Sequence, residues 1–201
     1  MVRLVLVTDR RAVRDLPAAL SAALSGVPPG GAAVQLREKD LSAAALLELA
    51  RALLPVCRAA GAPLVVNDRV DVVLVAHADG VHLPANGLGV GEARRLLGPG
   101  GLIGLSCHSP GEVAAAHAAG ADLVFFGPVW ETPGKTAQGV RALGEAVRAA
   151  GIPVFAIGGV TPETARRARQ AGAHGVACIR SVVGAADPAR AAAEMWQALE
   201  L

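Results

Sequence analysis

Tyrosine is absent from this 201-residue chain, and its aromatic residues are three Phe and two Trp. Nucleic-acid binding by base stacking has almost nothing to stack on. Cysteine is scarce: Cys57, Cys107 and Cys178 are odd in number, far apart and without a CxxC pair. That pattern argues against a disulfide framework and for a reducing, cytoplasmic setting. No apolar run reaches the roughly 18 residues that a membrane span needs. Arg3, Asp9, Arg10 and Arg11 interrupt the first segment, so neither a signal peptide nor a membrane partner is expected. Net charge is only +2 with scattered arginines, which leaves no basic patch for nucleic acid.

Lysine is the rarest charge. Lys39 and Lys135 stand alone against seventeen arginines. In a chain that uses arginine for nearly every positive charge, a retained lysine marks a place for a compact point charge rather than a planar fork. Each closes a polar run behind an apolar one, Gln35-Leu36-Arg37-Glu38-Lys39 and Glu131-Thr132-Pro133-Gly134-Lys135. The only two asparagines, Asn67 and Asn86, have the same setting. Rare polar residues at the ends of apolar runs predict one shared polar site.

What is plentiful is Ala, Val and Leu, with apolar residues at 53 %, ample for a core at this length. Short β-branched runs alternate with alanine-rich segments of helical period. The pattern predicts strands at Arg3–Val7, Ala33–Leu36, Leu64–Val66, Gly80–Leu83, Leu102–Leu105, Leu123–Phe126, Val154–Ile157 and Gly175–Ile179. Helices are predicted near Leu16–Leu24, Ala43–Ala59, Asp71–His77, Glu92–Leu97, Glu112–Ala118, Ala142–Ala149, Pro162–Gln170 and Pro188–Leu199. Ser42, Ser109-Pro110, Thr161-Pro162 and Asp187-Pro188 supply helix starts. The strand runs are continuously apolar, as strands buried on both faces are. Eight βα units without a linker predict one (β/α)8 TIM barrel over residues 1–201. An open doubly wound sheet is the competitor, but no GxGxxG follows the first strand.

In such a barrel the chemistry sits at the C-terminal ends of the strands. Those ends carry Gln35, Arg37 and Lys39, then Asn67 and Asp68, His82 and Asn86, Ser106 and His108, Thr132 and Lys135, Gly158-Gly159, and Arg180-Ser181. Arg37, Lys39, Lys135 and Arg180 around one mouth make an anion site, and Asp68 suits a divalent metal between phosphates. Gly158-Gly159 ahead of a helix start lets backbone N–H groups approach a phosphate. Phosphorylated small molecules are the expected partners. Whether copies associate is left open.

Gln35-Leu36-Arg37-Glu38-Lys39, Asn67-Asp68-Arg69-Val70-Asp71, Gly80-Val81-His82-Leu83, Thr132-Pro133-Gly134-Lys135 and Ala156-Ile157-Gly158-Gly159-Val160 together resemble the thiamine phosphate synthase/TenI family, in order and over the whole chain. The resemblance implies a transferase of thiamine biosynthesis that joins hydroxymethylpyrimidine diphosphate to a thiazole phosphate with Mg2+, releasing diphosphate. It implies that Gln35, Arg37, Lys39, Asn67 and Lys135 hold the diphosphate, with Ser106 and Thr132 nearby and Asp68 on Mg2+. It puts the thiazole phosphate on Gly159 and the segment after strand 8, and gives Arg37, Lys39 and Lys135 the catalytic burden. Two alternatives come with the family: a TenI-type thiazole tautomerase and a non-catalytic phosphate-binding paralogue.

Three positions depart from the family's pattern. Gly87 stands where its synthases carry a second metal aspartate, Arg180 where they carry a serine, and Pro128 where the tautomerase carries its histidine. His82 or His108 would then have to serve as the acid–base group of an isomerase. Asn86-Gly87 reads as a turn with positive φ at the glycine. His77, His117 and His174 read as structural or solvated, Asp9, Asp15 and Asp40 as loop or cap residues, and Trp196 as packing for the last helix. Trp130 is read as either a lid or a packing residue. Cys107, flanked by Ser106 and His108, points to the opposite face from both.

Overall fold

The computed structural model describes residues 1–200 and is a closed barrel in which eight strands follow one another in chain order. The strands are β1 (Leu4–Val7), β2 (Ala32–Leu36), β3 (Leu64–Asn67), β4 (Gly80–Leu83), β5 (Leu102–Cys107), β6 (Leu123–Phe126), β7 (Val154–Ile157) and β8 (Gly175–Cys178). The helices are α1 (Leu16–Ser25), α2 (Ala43–Ala59), α3 (Val70–Ala76), α4 (Val90–Leu97), α5 (Pro110–Ala118), α6 (Gly139–Ala149), α7 (Pro162–Gln170) and α8 (Pro188–Leu199). All pairings are parallel, and β8 closes on β1 with Val5 opposite Ala177.

Strand residues alternate between two cores. Leu4, Leu6, Val34 and Leu36 face the helices, while Val5, Val7, Ala33 and Phe125 face the barrel axis. With both faces buried, nothing on the strand rewards a polar residue, so the run stays apolar. The helix starts act as expected: Asp15, Ser42, Ser109 and Asp187 accept from the backbone N–H three residues on, and Thr161 and Thr164 form a reciprocal capping box. Several element ends differ from the sequence pattern by a few residues, and four of them are instructive. α4 begins at Val90 because Gly89 is extended and serves as its cap. α6 begins at Gly139, where the chain leaves the β6 loop. β5 runs on to Cys107, paired with Phe126, and β8 stops at Cys178, short of Ile179.

The amino-terminal floor of the barrel is incompletely filled. A cavity of about 260 Å3 is lined by Val5, Ala33, Val65, Phe125, Phe155 and neighbouring apolar side chains. Ala33 and Gly104 stand there, where barrels usually place bulky branched residues. His174 closes one side, its Nε2 2.9 Å from the Val2 carbonyl. No helix among the described residues is long and apolar enough to cross a membrane.

Two outcomes follow. Ala33→Val should fill part of the floor and raise stability by about 1 kcal/mol, a rise of roughly 2–4 °C in the thermal midpoint; a lower midpoint would mean the space is not available to a side chain. Cys57, Cys107 and Cys178 are all buried, and burial pushes each thiol up to about 12. The native chain should therefore resist thiol reagents at pH 8 until denaturant is added, as a timed colorimetric titration would read.

Candidate active site

A polar arc crosses the carboxyl-terminal ends of β2 to β5. Gln35 is buried, and its Nε2 donates to Asn67 Oδ1 at 3.1 Å. Asn67 stands opposite His82 in the β3–β4 ladder. His82 Nε2 lies 2.9 Å from Ser106 Oγ. Four polar side chains on adjacent strands thus occupy axis-facing positions, as their spacing predicted.

His82 is only 2 % exposed, and its ring lies 4.1 Å from the ring centre of Phe125. Burial, with the Arg37 charge adding to it, pushes the imidazole down to about 3. It is neutral at ordinary pH and unsuited to accept a proton from substrate, which removes it from acid–base work. Cys107 is buried among the helix-facing side chains with its thiol raised, so it is no nucleophile.

Beyond β2 the chain is strapped to the loop after β1. Arg37 N–H donates to Thr8 Oγ1 at 2.9 Å. Glu38, 7 % exposed, accepts from Arg10 N at 2.9 Å and from the Arg10 guanidinium at 3.1 Å. Asp40 takes the other edge of that guanidinium at 2.7 and 2.6 Å, and Arg11 at 2.8 Å. The Arg10 guanidinium holds the Asp40 carboxyl well below the usual carboxylate range. Asp40 is therefore more than a loop residue. Thr8, Arg10 and Glu38 carry this arrangement, which no motif announces. Ion pairing across about 30 residues has no local periodicity to read.

The strap leaves Arg37 half-buried and Lys39 exposed. Every ion pair among the described residues is an arginine–carboxylate pair; neither lysine takes part, nor does Arg37. On the far side of the mouth, Lys135 caps a tight turn, its N–H donating to the Thr132 carbonyl at 3.0 Å. The turn stands over β7. A Cβ at Gly158 would lie 3.1 Å from Thr132 Oγ1 and 2.5 Å from Pro128 Cβ, and φ is +95° there. At Gly159, with φ +63°, it would lie 2.7 Å from Trp130 Cβ. Both positions need glycine, because the β6 loop rests on their backbone in a left-handed conformation. Trp130 packs on the core here, which settles it as a packing residue. Trp196 likewise packs α8 against Gly31.

Asp68 is exposed at the end of β3 with φ +65°, its N–H bonded to the His82 carbonyl at 2.9 Å. Across from it, Gly87 ends a turn whose N–H donates to the Pro84 carbonyl at 3.0 Å. The expectation of positive φ at Gly87 is not met, since it is absent from the left-handed residues. The constraint is contact instead: a Cβ there would lie 2.8 Å from the Pro84 ring and 3.0 Å from Asp68 Oδ1. Among the described residues no three His, Cys, Asp or Glu side chains gather around one point. Asp68 therefore offers a single hard oxygen donor group, which suits a divalent ion only when a ligand supplies further oxygens. Arg180 does not reach freely over the mouth. Its Nε pairs with Asp9 Oδ2 at 2.9 Å, with Ser181 exposed beside it. His108 is exposed at the end of β5, its Nδ1 2.6 Å from the Gly127 carbonyl.

The site is thus an open mouth with a polar arc on one side, Arg37 and Lys39 beside that arc, Lys135 across from it, and a glycine pair ahead of the α7 start. The model of the thiamine monophosphate synthase family matches residues 4–182. A Geobacter sulfurreducens relative is 49 % identical over 191 residues, 92 % of this chain and 88 % of its own length. The thiamine-phosphate synthase of Roseiflexus castenholzii is 44 % identical over 188 residues, 90 % of this chain and 81 % of its own. The solved thiamine phosphate pyrophosphorylase from Pyrococcus furiosus superposes with a TM-score of 0.90 at 33 % identity, covering 99 % of this chain and 96 % of that one. The chain belongs to the thiamine monophosphate synthase family.

Proposed function

We propose that this chain is a thiamine-phosphate synthase: a transferase that joins hydroxymethylpyrimidine diphosphate to thiazole phosphate and releases diphosphate. The observation that carries the reading is the set of cations without carboxylate partners, Arg37, Lys39 and Lys135, set beside the polar arc. Cations withheld from ion pairs suit a polyanion, and a substrate with a single phosphate would leave most of them unused.

Gln35 and Asn67, held to each other, present amide groups to the diphosphate. Arg37, Lys39 and Lys135 receive the charge that grows on it as the pyrimidine-methyl C–O bond breaks, the electron pair leaving with the diphosphate. The thiazole nitrogen lone pair then forms the new C–N bond, and no proton has to move at that nitrogen. Gly158, Gly159 and the α7 N-terminus serve the thiazole phosphate, with Thr132 above them. Arg180 and Ser181 assist once the Arg180–Asp9 pair, a weak exposed one, opens. Asp68 is the protein ligand for Mg2+, which when bound neutralises diphosphate charge.

A second reading has one observation in its favour. The His108–Gly127 contact sets an exposed imidazole beside Pro128, the position where the tautomerase carries its histidine. Assaying purified protein with both substrate sets, and scoring bond formation and isomerisation separately, separates the two.

Lys39→Ala should lower kcat/KM on the order of 10²-fold, the size of effect for a preorganised charge partner in a transition state. Diphosphate binding by calorimetry should weaken in parallel; unchanged binding in the Lys39→Ala/Lys135→Ala double variant would favour the isomerase. Mg2+ should bind weakly to the ligand-free chain and well with diphosphate present. Gly87→Asp, adding a carboxylate next to Asp68, should lower the Mg2+ concentration for half-maximal rate. Thermal unfolding of that variant must show first that the loop accommodates the Pro84 contact.

A further inference from the structure

His82 has work that its burial conceals. Its ring is held between Phe125, 4.1 Å centre to centre, and the backbone of Gly104, where a Cβ would lie 2.6 Å from Nδ1. Nε2 meets Ser106 Oγ at 2.9 Å, while Nδ1 is buried without a partner. The two neutral tautomers are unequal in this setting. A proton on Nδ1 would leave a buried N–H facing Gly104 with no acceptor, at the full cost of its desolvation. A proton on Nε2 is used at once, and Nδ1 keeps only a bare lone pair, the more tolerated kind of orphan.

We propose that His82 is a positioning residue, held as the Nε2–H tautomer, which donates to Ser106 Oγ and so commits the Ser106 hydroxyl hydrogen to an acceptor atom of the bound substrate. A hydroxyl left alone rotates to give or take. Here one of its acceptor sites is occupied from below, and among the described residues no other side chain takes its hydrogen. Ser106 is only half-buried at the mouth, so that hydrogen points to ligand. The consequence is a preference: with one of its two acceptor sites filled by His82, the hydroxyl favours a ligand atom with a lone pair over one that carries its own hydrogen. The inference rests on the reading of Ser106 as a substrate contact given above.

Nitrogen NMR of the chain labelled at histidine reads the tautomer directly. Protonated Nε2 with bare Nδ1 at His82 is expected, and the reverse would overturn the proposal. His82→Phe keeps the stack on Phe125 and removes the orphaned nitrogen, so the thermal midpoint should hold or rise. Its kcat/KM should fall about tenfold, the worth of one misdirected hydrogen bond. Ser106→Ala should fall by at least as much, and the His82→Phe/Ser106→Ala double variant no further than Ser106→Ala alone. His82→Gln, which returns an N–H donor, should recover part of the loss. Additive losses, or an unaffected His82→Phe beside an impaired Ser106→Ala, would overturn the positioning role alone. A fully active Ser106→Ala would remove the substrate contact, and the positioning role with it.

Discussion

The mouth of this barrel depends on one buried carboxylate. Glu38 lies between Arg37 and Lys39 in sequence but turns away from both, into the gap between the first two βα loops, where Arg10 meets it through backbone and guanidinium. A carboxylate there without its partner would be costly to bury, so the loop after β1 and the segment after β2 are held as one piece. Taken up by the strap, Glu38 does not pair with Arg37 or Lys39 beside it. Asp40, next to Lys39 in the chain, is held by Arg10 and Arg11 instead.

The same logic runs through the charge distribution. Among the described residues the ion pairs are all made by arginine, and several are local i,i+3 or i,i+4 pairs on helices such as Arg51–Glu48 and Arg190–Glu194. Such exposed pairs contribute little to stability. Where an arginine does stand at the mouth and meets an acid, as Arg180 meets Asp9, it is drawn into a pair. Arg37 escapes because its own strand is strapped at Thr8 and Glu38.

Much of this was legible in the sequence. The barrel followed from eight apolar runs whose both-sided burial suppresses alternation, and the arc from Gln35 to Ser106 followed from polar residues placed at the ends of those runs. What was not legible has a common cause. The Arg10–Glu38 tie joins residues 28 apart, and the Gly87 constraint is a contact with Pro84 and Asp68 rather than a backbone angle. Both are packing contacts within or between neighbouring loops, which hydrophobic period does not encode. The capture of Arg180 by Asp9 spans 171 residues and exists only because the last strand returns to the first.

The side-chain amines of Lys39 and Lys135 both stand exposed at the carboxyl-terminal end of the barrel. The remaining surface cations are guanidinium groups, which acylating reagents and lysine acetylation do not touch. Acylation at side-chain nitrogen would therefore fall on the mouth and nowhere else on the wall of helices. A modification that on an ordinary lysine-rich protein spreads over the whole surface would here act as a site-directed one, removing both point charges at the place proposed above for phosphate oxygens.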